Sequence, residues 1–81
     1  MPAANGQKKL MRIGEAAKAA GVSVQQVEYY ILLGLIDPIT PRGTRRRLFD
    51  ERLVTRIRLI HELNDCGYTL REIRTTWLRN R

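Results

Sequence analysis

The chain has 81 residues, 43% of them hydrophobic and 28% charged, which is enough for one small core and no second domain. Fifteen basic against eight acidic side chains leave a formal charge of +7, so the partners it selects are polyanions: DNA, RNA or an anionic membrane surface. A domain of this size buries only about 60% of the surface its unfolded chain exposes, which leaves little material for the walls of a catalytic cleft.

One cysteine, Cys66, and one histidine, His61, exclude a disulfide framework and a multi-cysteine zinc site, so no metal or cofactor is expected. No run approaches the roughly 18 apolar residues of a membrane span, and residues 1–9 hold no apolar stretch of signal-peptide length. The expected place of such a chain is the cytoplasm, on the nucleoid. With neither disulfide nor metal, packing alone must hold the fold, which favours well-capped helices.

Residues 1–10 mix small, polar and basic side chains without periodicity and read as a flexible basic arm; residues 11–81 form the domain. Ile13, Ala16, Ala17 and Ala20 recur at i, i+3, i+4 and i+7, the stripe of a short helix thin enough for a neighbour to approach closely. Gly21 supplies the left-handed residue after its end, with Val22 as the apolar plug. Ser23-Val24-Gln25-Gln26 is a capping-box pattern that opens a second helix. Its spacing predicts Val24, Val27 and Ile31 facing inward, with Gln25, Gln26, Tyr29 and Leu33 outward and Gly34 at the end. Two short helices joined across Gly21 make the pattern of a helix-turn-helix.

Beyond Leu35 the periodicity breaks, and Pro38, Pro41 and Gly43 punctuate a segment ending in Arg45-Arg46-Arg47-Leu48-Phe49. A small β-hairpin, or wing, is expected there, with few paired residues because the prolines cannot donate to a ladder. Asp50 is a good N-cap for a long helix with Val54, Ile57, Ile60 and Leu63 on its apolar face, helped by Leu53 and Leu59. Gly67 closes it. Thr69-Leu70-Arg71-Glu72 is a second capping box, opening a last helix that buries Leu70, Ile73 and Trp77. The expected fold is mostly α: a winged helix-turn-helix of four helices with a small β-hairpin wing.

Ile13-Gly14-Glu15-Ala16-Ala17, Gly21-Val22-Ser23, Tyr29-Tyr30, Gly34-Leu35-Ile36, Arg46-Arg47-Leu48-Phe49-Asp50 and Gly67-Tyr68-Thr69-Leu70-Arg71-Glu72-Ile73 follow one another in this order. Over roughly residues 11–78 the series resembles the winged-helix DNA-binding domain of the MerR family of bacterial transcription regulators. The resemblance implies that the second helix enters the major groove while the wing grips the flanking backbone. It also implies two domains paired through a long C-terminal helix on a palindromic promoter. Three departures stand out. Glu28 occupies the place of a usual Arg, Ile31 that of a usual acid, and Arg45-Arg46-Arg47 replaces Gly-Tyr-Arg. The family's dimerisation helix would begin where this sequence stops, at Arg81.

Between Asp37 and Arg58 stand seven arginines against three acids, whereas residues 23–33 carry no base and one acid. The charge therefore suits phosphates and the helix suits base edges. Arg42, Arg45, Arg46 and Arg47 are expected to anchor phosphates, assisted by Arg12, Lys18 and the arm residues Lys8 and Lys9. Gln25 and Gln26 lie in the first turn, where a glutamine amide can pair bidentately with adenine. Tyr29 is placed to lay its ring along the groove wall, and Tyr30 to pack. For Glu28 two readings stand open: an ion pair positioning a wing arginine, or a lost DNA contact. Ile31, Leu32 and Leu33 either pack under the wing or form a partner patch. Cys66 is expected to be a small buried hydrophobe, Trp77 a core anchor, and His61 structural or solvent-facing.

The expected function is sequence-specific binding of double-stranded DNA, as a homodimer or in tandem. Two rivals remain: an excisionase-like or terminase-like architectural protein of the same fold, and a protein-interaction module using Leu32 and Leu33. An enzyme finds no support, since no carboxylate pair, nucleophile with base, or phosphate loop is present.

Overall fold

In the computed structural model, residues 9–77 are described. Most of the expected basic arm, Lys8 included, lies outside the described residues, and so does the side chain of Trp77. The elements follow in the order α1 (Ile13–Ala20), α2 (Val24–Leu32), α3 (Glu51–Asp65) and α4 (Leu70–Glu72), the last running directly into a π-helical segment (Ile73–Trp77).

The first three helices end in the same way. Gly21 takes φ +78° after α1, its N–H bonds Lys18 O at 3.2 Å, and the Val22 N–H reaches back to Ala17 O at 3.0 Å. The same pair of bonds follows α2, from Gly34 to Ile31 and Leu35 to Tyr30, and α3, from Gly67 to Asn64 and Tyr68 to Leu63. Each glycine thus closes the last carbonyls of its helix in a conformation that a β-carbon would disfavour, and reverses the chain within two residues.

Helix starts are equally local. Ser23 Oγ accepts from Gln26 N at 3.1 Å, and Ser23 N donates to Gln26 Oε1 at 3.1 Å. Asp50, only 4% exposed, accepts from Leu53 N at 3.0 Å, a cap typically worth about 1 kcal/mol. At α4, Glu72 N donates to Thr69 Oγ1 and Thr69 N donates to Glu72 Oε1 at 2.8 Å. Those bonds from the Thr69 backbone and hydroxyl hold the Glu72 carboxyl below its ordinary value. Because the folded-state value is the lowered one, the cap is fully present above the ordinary 4.5 and is lost as pH falls through the lowered value. Glu72→Gln keeps an acceptor that does not titrate. In fixed urea it should lose helical circular dichroism less steeply than wild type below about pH 4.5; equal steepness would show that this cap does not contribute.

The core joins Ala16, Ala17 and Ala20 of α1 to Val27 and Tyr30 of α2, to Val54, Ile57 and Ile60 of α3, and to Ile73. Its centre is completed by Leu35, Ile36 and Phe49 from the irregular segment between α2 and α3. The alanine stripe lets α1 pack against both α2 and α3.

Five expectations are corrected. Among the described residues no β-hairpin forms. Leu48 and Ile39 make one antiparallel bridge with two bonds of 2.8 Å, and Phe49 pairs separately with Met11. Pro38 and Pro41 lack the N–H groups a ladder needs. The segment is instead a loop over residues 40–47, folded at Pro41 to Thr44 by the Thr44 N–H and hydroxyl on Pro41 O. Val24 is 40% exposed rather than inward, Val22 on the preceding turn packs against the core, and Leu33 is half-buried rather than outward. Leu59, expected to help the apolar face of α3, is 37% exposed. Cys66 is exposed too, since the connection over residues 64–69 runs outside the core.

Candidate nucleic-acid interface

Helix α2 buries Val27 and Tyr30 and half-buries Ile31, so the opposite face carries Val24, Gln25, Glu28, Tyr29 and Leu32. These positions recur at three- and four-residue spacing along one side of the helix. Tyr29 is 51% exposed and Leu32 80%. Tyr30 packs, as the spacing predicts. Gln26 is half-buried and its carbonyl oxygen is engaged in the cap with Ser23, which leaves Gln25 as the glutamine with an uncommitted amide on the outer face.

The loop comes to this helix through one contact. Arg47 Nη1 and Nη2 donate to Glu28 Oε1 and Oε2, both at 2.8 Å, across 19 residues of sequence. A planar guanidinium on a carboxylate in this two-bond geometry fixes orientation as well as distance. The hydrogen bonds hold the Glu28 carboxyl below its ordinary range and push the Arg47 guanidinium up. Both side chains are partly exposed, so the pair acts through registration of the loop against α2 more than through stability. Of the two readings left open for Glu28, the structure selects the ion pair. It also removes Arg47 from the set of uncommitted cations.

Three arginines of the loop keep their charge unspent. Arg42, Arg45 and Arg46 are exposed, and among the described residues none has a carboxylate within salt-bridge distance. Arg12, at the N-cap of α1, and Lys18, in its last turn, are exposed as well. Arg12 N donates to Glu15 Oε1 at 3.3 Å, and neither side chain joins the Glu28–Arg47 pair. The arginines of α3 divide differently from their sequence neighbours. Arg58 Nη2 donates to Ala19 O at 2.8 Å, at the carbonyl end of α1, and Arg56 Nε donates to Leu35 O at 3.0 Å. Both hold backbone that has no intrahelical partner, and Arg58 also meets the negative end of the α1 dipole.

A further arginine went unnoticed in the sequence. The Arg74 guanidinium lies against Gly34, so that a β-carbon on that glycine would stand 3.6 Å from Nη2. It places a cation at the carbonyl end of α2 and ties the last segment to the end of the reading helix. No local pattern signals it, because Gly34 is accounted for by its φ of +80° at the end of α2.

Among the described residues no helix is long and apolar enough to cross a membrane, and no group of three or more His, Cys, Asp or Glu side chains is placed to hold a metal ion.

The chain is similar to known proteins. The chain is 34% identical over 64 residues to the HTH-type transcriptional regulator HmrR of Sinorhizobium medicae (strain WSM419), covering 79% of this chain and 44% of that protein. It is 41% identical over 64 residues to the mercuric resistance operon regulatory protein of Serratia marcescens, covering 78% and 44%. Among solved structures it is similar to the transcription regulator PbrR691 from Ralstonia metallidurans CH34, determined in complex with lead(II). There the TM-score is 0.76 and the identity 38%, over 88% of this chain and 56% of that one. The chain therefore spans about half the length of the relatives it matches. The model of the MerR HTH family of regulatory proteins matches residues 11–78, nearly the whole of the domain described above, and the chain belongs to that family.

Proposed function

We propose that this chain is the module by which a MerR-type transcription regulator holds double-stranded DNA in the bacterial cytoplasm, a binding protein and not an enzyme. The loop over residues 40–47 acts as the wing. Arg42, Arg45 and Arg46 neutralise phosphates on the strand flanking the major groove, with Arg12 and Lys18 as further contacts from α1. Helix α2 lies in the groove with Gln25 at its leading turn, and Tyr29 stands beside the backbone one turn on. Gln26 shapes the start of α2 and contacts DNA only through its remaining amide N–H. Arg47 serves as the strut between grip and reader.

The observation that carries this reading is the bidentate Glu28–Arg47 pair, which fixes a loop of three unpaired arginines against the uncharged outer face of a helix-turn-helix. A protein-interaction module would leave that arrangement without use, and Leu33, one of the two residues it would need, packs against the core. A single domain with about five phosphate contacts binds weakly at physiological salt, so two copies, paired or in tandem, act on the natural site.

Breaking the strut tests the reading. Glu28→Gln removes a negative charge facing the groove and frees Arg47 for a phosphate. Nonspecific duplex affinity should rise, and the slope of log K against log salt should steepen by about 0.9. Anisotropy titrations at several salt concentrations measure both quantities. An affinity and a slope both unchanged would place α2 and the loop away from DNA.

A further inference from the structure

Each base pair shows the major groove its own pattern: guanine offers two acceptors, cytosine a donor, adenine an acceptor and a donor, and thymine an acceptor and a methyl group. The side chains that read guanine are Arg and Lys, and those that accept from cytosine are Asp and Glu. Helix α2, with the sequence Val-Gln-Gln-Val-Glu-Tyr-Tyr-Ile-Leu, has no cation at all. Its one carboxylate, Glu28, already has both oxygens bonded to Arg47. The guanidinium held against the helix is Arg47, and both of its terminal nitrogens are engaged by the same pair. Every charged group on this face suited to a G·C pair is therefore missing or occupied.

What the leading turn does present is suited to A·T. Gln25 is exposed with its amide uncommitted, able to accept from adenine N6 and donate to N7. Val24 beside it, an apolar branched side chain at the first helical position, is 40% exposed on the same face. A methyl group in the groove is the matching apolar surface. Tyr29, one turn on from Gln25, extends the same apolar strip.

We infer that α2 selects A·T pairs by direct contact, with Gln25 on adenine and Val24 against the C5-methyl of thymine. The inference rests on the proposed placement of α2 in the major groove and adds the chemical identity of what it reads there. Specificity then comes from a short uncharged surface, and the arginine loop adds affinity without preference.

The test begins with duplexes enriched by the 81-residue chain from a randomised pool at low ionic strength. Two substitutions are then made in the winning duplex: deoxyuridine for thymine, which deletes only the methyl, and 7-deazaadenine for adenine, which deletes only the N7 acceptor. The enriched core should be A·T, and deoxyuridine should weaken binding about fourfold per contacted methyl, the value of one buried carbon. Val24→Ala should be indifferent to deoxyuridine, and Gln25→Ala to 7-deazaadenine. Because the first comparison uses the unaltered protein, it does not depend on either variant folding. A G·C core, or an affinity that ignores both base analogues, overturns the inference while salt-dependent binding keeps the DNA-binding reading. Absence of salt-dependent binding to any duplex overturns both.

Discussion

Replacing Arg42, Arg45 and Arg46 together by alanine should lower the steepness of log K against log salt by about 2.7, at about 0.9 for each phosphate contact removed. The loss is therefore largest in dilute salt: between 50 and 200 mM the gap between variant and wild type should narrow by roughly 40-fold. It should be the same for every duplex sequence, because phosphates carry no sequence information. Folding should be unaffected, since all three side chains are exposed and, among the described residues, hold no acidic partner. Arg47→Ala makes the instructive contrast. Its guanidinium already serves Glu28, so its removal should change the slope less than any of the other three. Anisotropy measured over a series of salt concentrations separates these outcomes, and an unchanged slope in the triple variant would take the loop out of the interface.

Phe49→Ala should cost about 3–5 kcal/mol, the range for emptying a buried aromatic position. A domain of this length has roughly 4–12 kcal/mol of total stability, so the variant stands at the edge of unfolding. Phe49 is fully buried and its backbone pairs in both directions with Met11, which pins the N-terminal segment to the end of the loop. Its neighbour Leu48 closes the loop through Ile39. Loss of the ring therefore reaches the loop as well as the core. Urea titration followed by circular dichroism measures the effect, and Leu32→Ala, at an 80% exposed position, should change the midpoint little. A midpoint unmoved by Phe49→Ala would show that the core is not organised around this side chain.

Much of the fold was legible because its determinants are local. The glycines at 21, 34 and 67, the hydroxyl caps Ser23 and Thr69 and the carboxylate cap Asp50 each act within about five residues, and each lies where the pattern puts it. The periodicity of α3 likewise gave Val54, Ile57 and Ile60. Where reading the sequence fell short, the deciding contact is distant. Helical spacing alone puts Val24 inward, whereas it is 40% exposed and Val22 before it packs against the core. The hairpin was read with few paired residues because of its prolines, and a single bridge, Ile39 with Leu48, is what forms.

The site divides along the same line. That α2 is uncharged and the loop basic is visible in composition. Which arginines are uncommitted is not, because Arg58 finds its acceptor 39 residues away, Arg56 21 residues away and Arg47 19 residues away. Seven arginines that look equivalent in the sequence become three with exposed, unpaired charge and four with some tie to the protein, the weakest being Arg52 at 4.0 Å from Asp50. The capping role of Gln26 is local and readable, and it is what sets Gln25 apart as the reader.

The central claim is that the α2 face and the arginine loop form one continuous surface for DNA. Titrating a duplex into the isotopically labelled chain at low ionic strength, and following backbone amide shifts, tests it without any substitution. The account predicts the largest shifts over residues 23–33 and 42–47, with the exposed connection over residues 64–69 unchanged. Shifts centred on that connection or on the Leu59 flank of α3, with α2 and the loop unmoved, would contradict it.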